Sequence, residues 1–554
     1  MRYNNCYIAI VWGGSLWTFS PLFVEAEIAP KWYLVVLGVG MWLLVWLLFV
    51  KQGKRRGRLM QCDKRVGFSW VALVMVLATF SQAVYAGLQG MGLQQGHNGF
   101  EVVGSFDNPA GVASVLAFSV PFAVYCLRVW RHWAMRVLVG VILAVVCVVL
   151  VWSESRAGML SIGVVGIGLL IAWFSAFRFN GFQCAVFQRV NRRWRGLALL
   201  VVSVVVLTMG IVGGCILYEY KKDSADGRLL IWRCTAEMIA NKPLLGHGRG
   251  GFEANYMNYQ ARYFEQHPNS RYAMLADSVN QPFNEYLRLL ADYGVVGGMV
   301  LVVFAIWVAK AYRRRRDVVA LYALLTLLSI AVFSLFSYPF RYPHTWIVGG
   351  VAVWMLWGSA VWSWSVRRGL CWLRWWLGNW IVRGVCCMAL LCVLGYTITQ
   401  MRAEVAWCRT AHQAMSGNVE EYLPRYQRLM RHLGNNRLFL YNYAAELNVA
   451  GQYKESLRMA HECEKRWADY DLQMMMADSY QKLQQYREAE ARYRKAAFMC
   501  PVKFFPLYKL YQLHVMQGEQ EKAQTMARKI SEKPVKVYSP EVMSIKHEME
   551  QLLQ

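Results

Sequence analysis

The sequence predicts an all-α protein, a polytopic helical membrane domain followed by a helical domain outside the lipid. Three observations predict it. Of the 554 residues 56% are hydrophobic, above the roughly 45–50% usual for soluble domains. The excess falls in nearly uncharged runs of about 17–22 residues, each long enough to cross a bilayer core as a helix. After residue 400 the runs stop, and a charged, Tyr- and Ala-rich sequence of helical period takes over.

Eleven runs are read as spans, at roughly 7–24, 32–50, 67–88, 109–127, 135–153, 157–177, 196–217, 294–312, 318–338, 345–364 and 384–400. The fold expected is therefore about 11–12 transmembrane helices. The first run lacks a strongly basic start and a small-residue cleavage site, so it reads as a retained span rather than a signal peptide. The net charge of +26 follows the topology. Lys51, Lys54, Arg55, Arg56, Arg58, Lys64 and Arg65 crowd one connection, Arg313 to Arg316 form another, and segments 128–136, 178–195 and 367–383 are also basic. These are alternate loops, which the positive-inside rule puts on the cytoplasmic side together with the N-terminus. A nucleic-acid partner is not needed to explain the charge. Residues 401–554 and the loops 89–108, 154–156, 218–293 and 339–344 then lie on the opposite face. The domains expected are 1–400, with its large loop 218–293, and 401–554. The 14 cysteines show neither a disulfide framework nor metal-binding spacing.

The segment after residue 400 repeats. Ala477, Tyr480, Tyr486, Ala489, Tyr493, Ala496 and Pro501 are spaced in a way that resembles the tetratricopeptide pattern. Ala444, Leu447, Tyr453, Ser456, Ala460 and Cys463 occupy equivalent places one repeat earlier, and Ala523 and Ala527 one repeat later. Small residues let paired antiparallel helices approach closely, and stacked pairs present a concave surface suited to protein or peptide.

The stretch "DGRLLIWRCTAEMIANKPLLGHGRGGF" places Gly246, Gly248 and Gly251 at dinucleotide-loop spacing. The context rules that reading out. Leu229, Leu230, Trp232, Ala236, Ile239 and Ala240 precede the glycines at helical spacing, Pro243 ends that helix, and no buried strand pattern follows. The glycines read as a tight turn that brings backbone close to another element or a ligand.

The same stretch resembles the outer-loop signature of the bacterial O-antigen ligase and polymerase family, with Arg228, Trp232, Pro243, Gly246, Gly248 and Phe252 matching. "GSFDNPAGVASVLA" (104–117), "SESRAGML" (153–160) with its Arg156, and "FNEYLRLLADYGVVGG" (283–298) resemble further motifs of that family in the same order. Phe283 stands where the family has a histidine, while Asn284 keeps the next position. The resemblance implies a multi-pass protein of the bacterial inner membrane whose C-terminal domain is periplasmic. It also implies transfer of a glycan from an undecaprenyl-pyrophosphate carrier to an acceptor hydroxyl, on lipid A-core, a growing polysaccharide, or a Ser/Thr of a protein. The repeats favour the ligase or the protein O-oligosaccharyltransferase over the polymerase. Membrane lipid and a periplasmic protein held by the repeats are the other partners expected.

The leaving group in such a reaction is a lipid diphosphate. Planar, permanently charged guanidinium groups grip phosphate oxygens bidentately and lower the barrier by meeting the developing charge. Arg156, Arg228 and Arg341 are the candidates for the diphosphate. Glu285, His247 and Asn284 are the candidates for activating or orienting the acceptor, with His344, Asp277 and His267 as further titratable groups on the same face. No cofactor is expected, and the reaction requires no metal. Two readings of other classes stand beside this one. A non-catalytic scaffold recruiting envelope proteins would use the repeats alone. A transporter would need an inverted repeat, which the sequence lacks, and buried mid-span charges, of which it has few.

Overall fold

A computed structural model describes residues 2–49, 64–179, 219, 222–357 and 380–554. Among the described residues all regular structure is helical, with no strand. The chain divides into two compact units: Met1–Ser20, Glu25–Ala225 and Phe304–Leu394 form one, and Pro21–Val24, Asp226–Val303 and Gly395–Gln554 form the other.

The first unit holds α1 (Arg2–Trp17), α2 (Ala29–Phe49), α3 (Lys64–Gly90), α4 (Pro109–Val129), α5 (Trp133–Trp152), α6 (Arg156–Phe179), α10 (Val318–Phe333) and α11 (Pro343–Trp357). At its centre α4 packs against α3, α5, α6 and α10. It is apolar on every face, as a helix buried all round must be. Its start is written in the sequence. Asn108 caps it, with Oδ1 accepting from Ala110 N at 2.9 Å, and Pro109 takes the first helical position, where a missing N–H costs nothing. Six described helices are long and apolar enough to cross a membrane: α2, Phe68–Gly90 within α3, α4, α5, α9 (Glu285–Arg315) and α12 (Trp380–Ser416). Arg156–Ala172 and Val318–Phe333 are shorter apolar helices. The chain is a multi-pass membrane protein.

Some expected boundaries move. The first run was expected to span 7–24, but α1 ends at Trp17, before Pro21, whose ring and missing N–H do not continue a helix. The expected break at residue 400 falls inside α12, because "TITQMRAEVAWCRTAHQAM" contains neither Gly nor Pro to stop it. The span at 196–217, the last third of 345–364 and most of the basic segments 51–66, 178–195 and 367–383 lie outside the described residues.

The second unit combines α7 (Lys222–Asn241) from Asp226 onward and α8 (Gly251–Gln266) with the end of α12 and a run of short helices. These are α13 (Val419–Leu433), α14 (Arg437–Val449), α15 (Tyr453–Glu464), α16 (Tyr470–Lys482), α17 (Tyr486–Met499), α18 (Phe505–Met516), α19 (Gln520–Glu532) and α20 (Pro540–Leu553). They pack as successive pairs, α14 on α15, α16 on α17, and α18 on α19. The small residues sit where the pairs close. Ala444, Ala460, Ala477 and Ala489 are fully buried, and Ser456 Oγ donates to the Ala444 carbonyl at 2.7 Å. Asn418, Asn436, Asp469 and Ser539 cap helix starts with their side chains. One apolar core joins the 226–303 segment to these pairs: Leu230, Met238, Phe252, Tyr256 and Phe264 pack with Ala468, Tyr470, Ala496 and Met499.

Candidate functional site

The glycine turn is the first part of the site. Gly246, Gly248 and Gly250 all have positive φ, at 68°, 86° and 73°, a conformation that glycine adopts without steric cost. The backbone brought close is that of α9. His247 N donates to the Ala291 carbonyl at 2.9 Å and Gly248 N to the Asp292 carbonyl at 2.8 Å, while Val295 N donates back to the Pro243 carbonyl at 2.8 Å. Asp292 Oδ1 accepts from Phe252 N at 2.9 Å, closing the start of α8. The exchange is possible because α9 breaks at Gly294, with φ 59° and ψ −154°. The turn and the kink are two halves of one joint.

A strap without regular structure, residues 276–284, leads into α9. Asn284 ends it by capping α9, its Oδ1 accepting from Tyr286 N at 3.0 Å and Leu287 N at 3.1 Å. Phe283 just before it has φ 53°, an outlier for a bulky side chain that only surrounding structure sustains. The surroundings are specific. Trp232 Nε1 donates to the Pro282 carbonyl at 2.9 Å, and the Arg228 guanidinium lies 5.2 Å from the centre of the Phe283 ring.

The structure therefore brings Arg228 to the Phe283–Asn284–Glu285 corner. His247 sits at the glycine joint, its Nε2 3.0 Å from the Met238 carbonyl, its ring edge-on to Tyr259. Asp277 is exposed, and His267 Nδ1 lies 3.0 Å from the Tyr263 carbonyl at the end of α8.

Arg156 and Arg341 belong to the first unit and have separate partners. Arg156 opens α6 and donates from Nη2 to Ser224 Oγ at 2.9 Å. Arg341, in the short 3₁₀ turn Pro339–Arg341, places Nη2 3.2 Å from Glu25 Oε1 and 3.4 Å from Asp107 Oδ2. Burial works against its charge, but the Asp107 and Glu25 carboxylates hold its pKa above the ordinary value. Tyr342 donates to Asp107 Oδ1 at 2.8 Å, and Trp32 Nε1 to the Arg341 carbonyl at 2.9 Å. His344 is fully buried, its Nε2 2.7 Å from Ser114 Oγ.

Lys31 was not anticipated as part of this polar cluster. It is fully buried, donates to the Glu27 carbonyl at 2.8 Å and the Ser105 carbonyl at 2.5 Å, and lies over the Phe106 ring at 4.4 Å. A lysine at the head of an apolar span was the available signal, since intramembrane charges are kept where they have partners. Asp107, Asp292 and Glu253 were also missed, although the first two lie inside quoted motifs.

Residues 141–302 match the O-antigen ligase family. The chain carries an O-antigen ligase domain. The match runs from within α5 into α9 and includes Arg156, Arg228, His247, Asn284 and Glu285, but not Arg341 or residues 395–554. No curated protein matches the chain. The O-antigen ligase domain assigns the chain to glycan transfer of the ligase or polymerase kind in a lipopolysaccharide-related process. Lipid-linked glycan and membrane lipid enter with that assignment.

Proposed function

We propose that the chain moves a glycan from an undecaprenyl-pyrophosphate carrier to an acceptor hydroxyl, as an O-antigen ligase or protein O-oligosaccharyltransferase, on the periplasmic face of the inner membrane. In this reading the membrane domain is residues 1–400, and residues 401–554 form a periplasmic tetratricopeptide-like domain. The observation that carries it is the Arg228 guanidinium held over the Phe283 ring, one residue before Asn284, inside the segment that matches the ligase family.

The acceptor oxygen attacks the anomeric carbon. The bond from that carbon to the carrier's phosphate oxygen breaks, and the lipid diphosphate leaves with the electron pair. Arg228 meets its charge, and Arg156 is the second candidate for that role. Arg341 is the third candidate, but its charge is already matched by two carboxylates, so it serves the diphosphate only by giving up one of them. The acceptor proton passes to a base. Glu285, in the first turn of α9 beside Asn284, suits this better than His247, which faces a backbone carbonyl through Nε2. Guanidinium groups supply the charge here, and no metal is assigned a role.

The experiment is deletion of the gene, with lipopolysaccharide and glycoproteins resolved on gels and complementation by the wild type, Arg156→Ala and Arg228→Ala. Loss of the glycan from one acceptor, restored only by the wild type, is the expected result. Each arginine variant should lose on the order of 10²–10³ in rate, the scale for removing one preorganised charge donor. Unchanged glycans in the deletion strain overturn the reading.

A further inference from the structure

The strap 276–284 has no ladder or helix of its own, so its polar groups must be met by side chains. They are met almost residue by residue. Gln260 Nε2 donates to the Asp277 carbonyl at 3.0 Å and to the Met499 carbonyl at 2.6 Å, tying the strap to the end of α17. Ser278 Oγ donates to Asp469 Oδ2 at 2.7 Å. Trp467 Nε1 donates to Asn280 Oδ1 at 2.9 Å. Gln281 Nε2 donates to Glu253 Oε1 at 3.3 Å, while its Oε1 accepts from Arg288 Nη1 at 3.0 Å.

Glu253 is where these ties meet. Its carboxylate also takes Arg437 Nη1, from the first turn of α14, and lies 3.8 Å from Arg288 Nη2. Its carbonyl accepts from Ala468 N at 3.0 Å. Arg437 in turn lies 5.5 Å from the centre of the Trp467 ring. Three of the groups involved, Arg437, Trp467 and Asp469, come from the helix pairs beyond the ligase match. They reach the segment that ends in the strained Phe283 and the capping Asn284.

We propose that the helix pairs are a working part of the transfer site: through Arg437, Trp467 and Asp469 they hold the strap and so fix Asn284 and Glu285 for the reaction. This rests on the transfer reading above. Glu253, Arg437 and Trp467 are positioning residues in it, since none of them is assigned a contact with the glycan or the diphosphate. A domain that only recruited a partner would have no reason to fill its side-chain hydrogen bonds with the ligase segment. A misplacement of about 1 Å in a reacting group costs as much as 10²-fold in rate, which is why a loop carrying such a group is anchored from both sides.

The test uses the full chain in detergent or nanodiscs, as wild type, Trp467→Phe, Arg437→Gln and the double variant. Trp467→Phe keeps an aromatic ring in the core but loses the N–H donor together with the second ring of the indole. Two quantities are read: hydrogen exchange of the amides in 276–284, and initial rates of transfer from a lipid-linked oligosaccharide against donor and acceptor concentration. In the double variant strap exchange should quicken about tenfold while α14–α17 stay protected. The maximal rate should fall roughly tenfold or more, with the donor KM little changed. Arg437→Lys, which keeps the charge, should recover part of both.

A strap whose exchange does not change overturns the proposal, and so does a loosened strap with a wild-type maximal rate. Absence of transfer by the wild-type chain would overturn the functional half together with the reading beneath it. The exchange data would still report the clamp, so the two failures are separable.

Discussion

Gly294 lies against Leu244 backbone to backbone: a side-chain carbon added at Gly294 would sit 2.4 Å from the Leu244 carbonyl oxygen. The contact is the closed side of the joint between the glycine turn and α9. With φ 59° and ψ −154°, Gly294 occupies a region essentially reserved for glycine, where another residue costs on the order of 1–3 kcal/mol in conformation alone. Gly294→Ala adds the steric conflict with Leu244 and should lower the thermal midpoint most. Gly246→Ala, whose new carbon would meet Asp292 backbone at 2.5 Å, should come close to it. Gly248→Ala, with φ 86° and open space around it, should cost only about 1–2 kcal/mol for the left-handed conformation. Thermal unfolding of the three variants checks the order. A Gly248→Ala protein less stable than Gly294→Ala would refute this account of the joint.

Asn284 keeps a family motif position and also caps α9, and the two roles are separable by substitution. Asn284→Ala removes an acceptor for two amides and should cost about 1 kcal/mol. Ser and Asp cap as well as Asn, so Asn284→Ser and Asn284→Asp should restore stability. If transfer also returns in both, the residue acts through the helix start. If stability returns and transfer does not, the amide itself meets the substrate, and rate and melting measurements on the same preparations decide between them.

The legible part of this protein was the part governed by local periodicity and composition. Apolar runs predicted α2, α4, α5 and α10, the sequence "DNPAG" gave the start of α4, and the alanines of 444–496 marked the close helix crossings. The glycine motif was readable as a tight approach of backbone, but not as an approach to Asp292 and Gly294, because its partner lies some 45 residues further along. Hydrogen bonds between distant segments leave no period. Glu253 looks like any acidic residue in a helical first turn, and Trp467 like a core aromatic. Their meeting with Gln281 and Asn280 depends on packing that no spacing rule encodes. His344 misled for a related reason. It ends a loop read as lying on the outer face, yet its ring is enclosed by Phe106, Tyr342 and Trp12.

Arg341 and Asp107 give a test of whether that arginine is structural. Arg341→Gln leaves Asp107 and Glu25 facing one another without the cation, and Asp107→Asn keeps an acceptor for Tyr342 but removes a charge from Arg341. Both side chains retain some exposure, at 29% and 19%, so each loss should fall below the roughly 3–5 kcal/mol of breaking a fully buried pair. If the pair is structural, the double variant should lose less stability than the two single losses added together, since the partners act as a unit. Additive losses, or a transfer defect in Arg341→Gln with an unchanged melting midpoint, would instead move Arg341 to the diphosphate.

Glu464 contributes acid sensitivity to the helix pairs. Burial opposes its ionisation, but Lys495 at 3.2 Å, Arg492 at 2.5 Å and Gln473 at 2.9 Å overcome that and bring its pKa down to about 2. A carboxylate held below its unfolded value binds fewer protons in the folded state than in the unfolded one. Its contribution is therefore complete above the unfolded pKa, near 4.5, and drains away as pH falls towards about 2. The melting midpoint of the wild-type chain should exceed that of Glu464→Gln by a constant margin from neutral pH down to about pH 5, the upper edge of that window. Below it the margin should shrink, because the unfolded wild type now takes up a proton that the folded state holds off, while the Glu464→Gln variant has no group there to titrate. Thermal scans of both proteins between pH 7 and pH 3 measure the margin directly, and one that widened on acidification would mean that the arginine and lysine do not hold this carboxylate in its charged form.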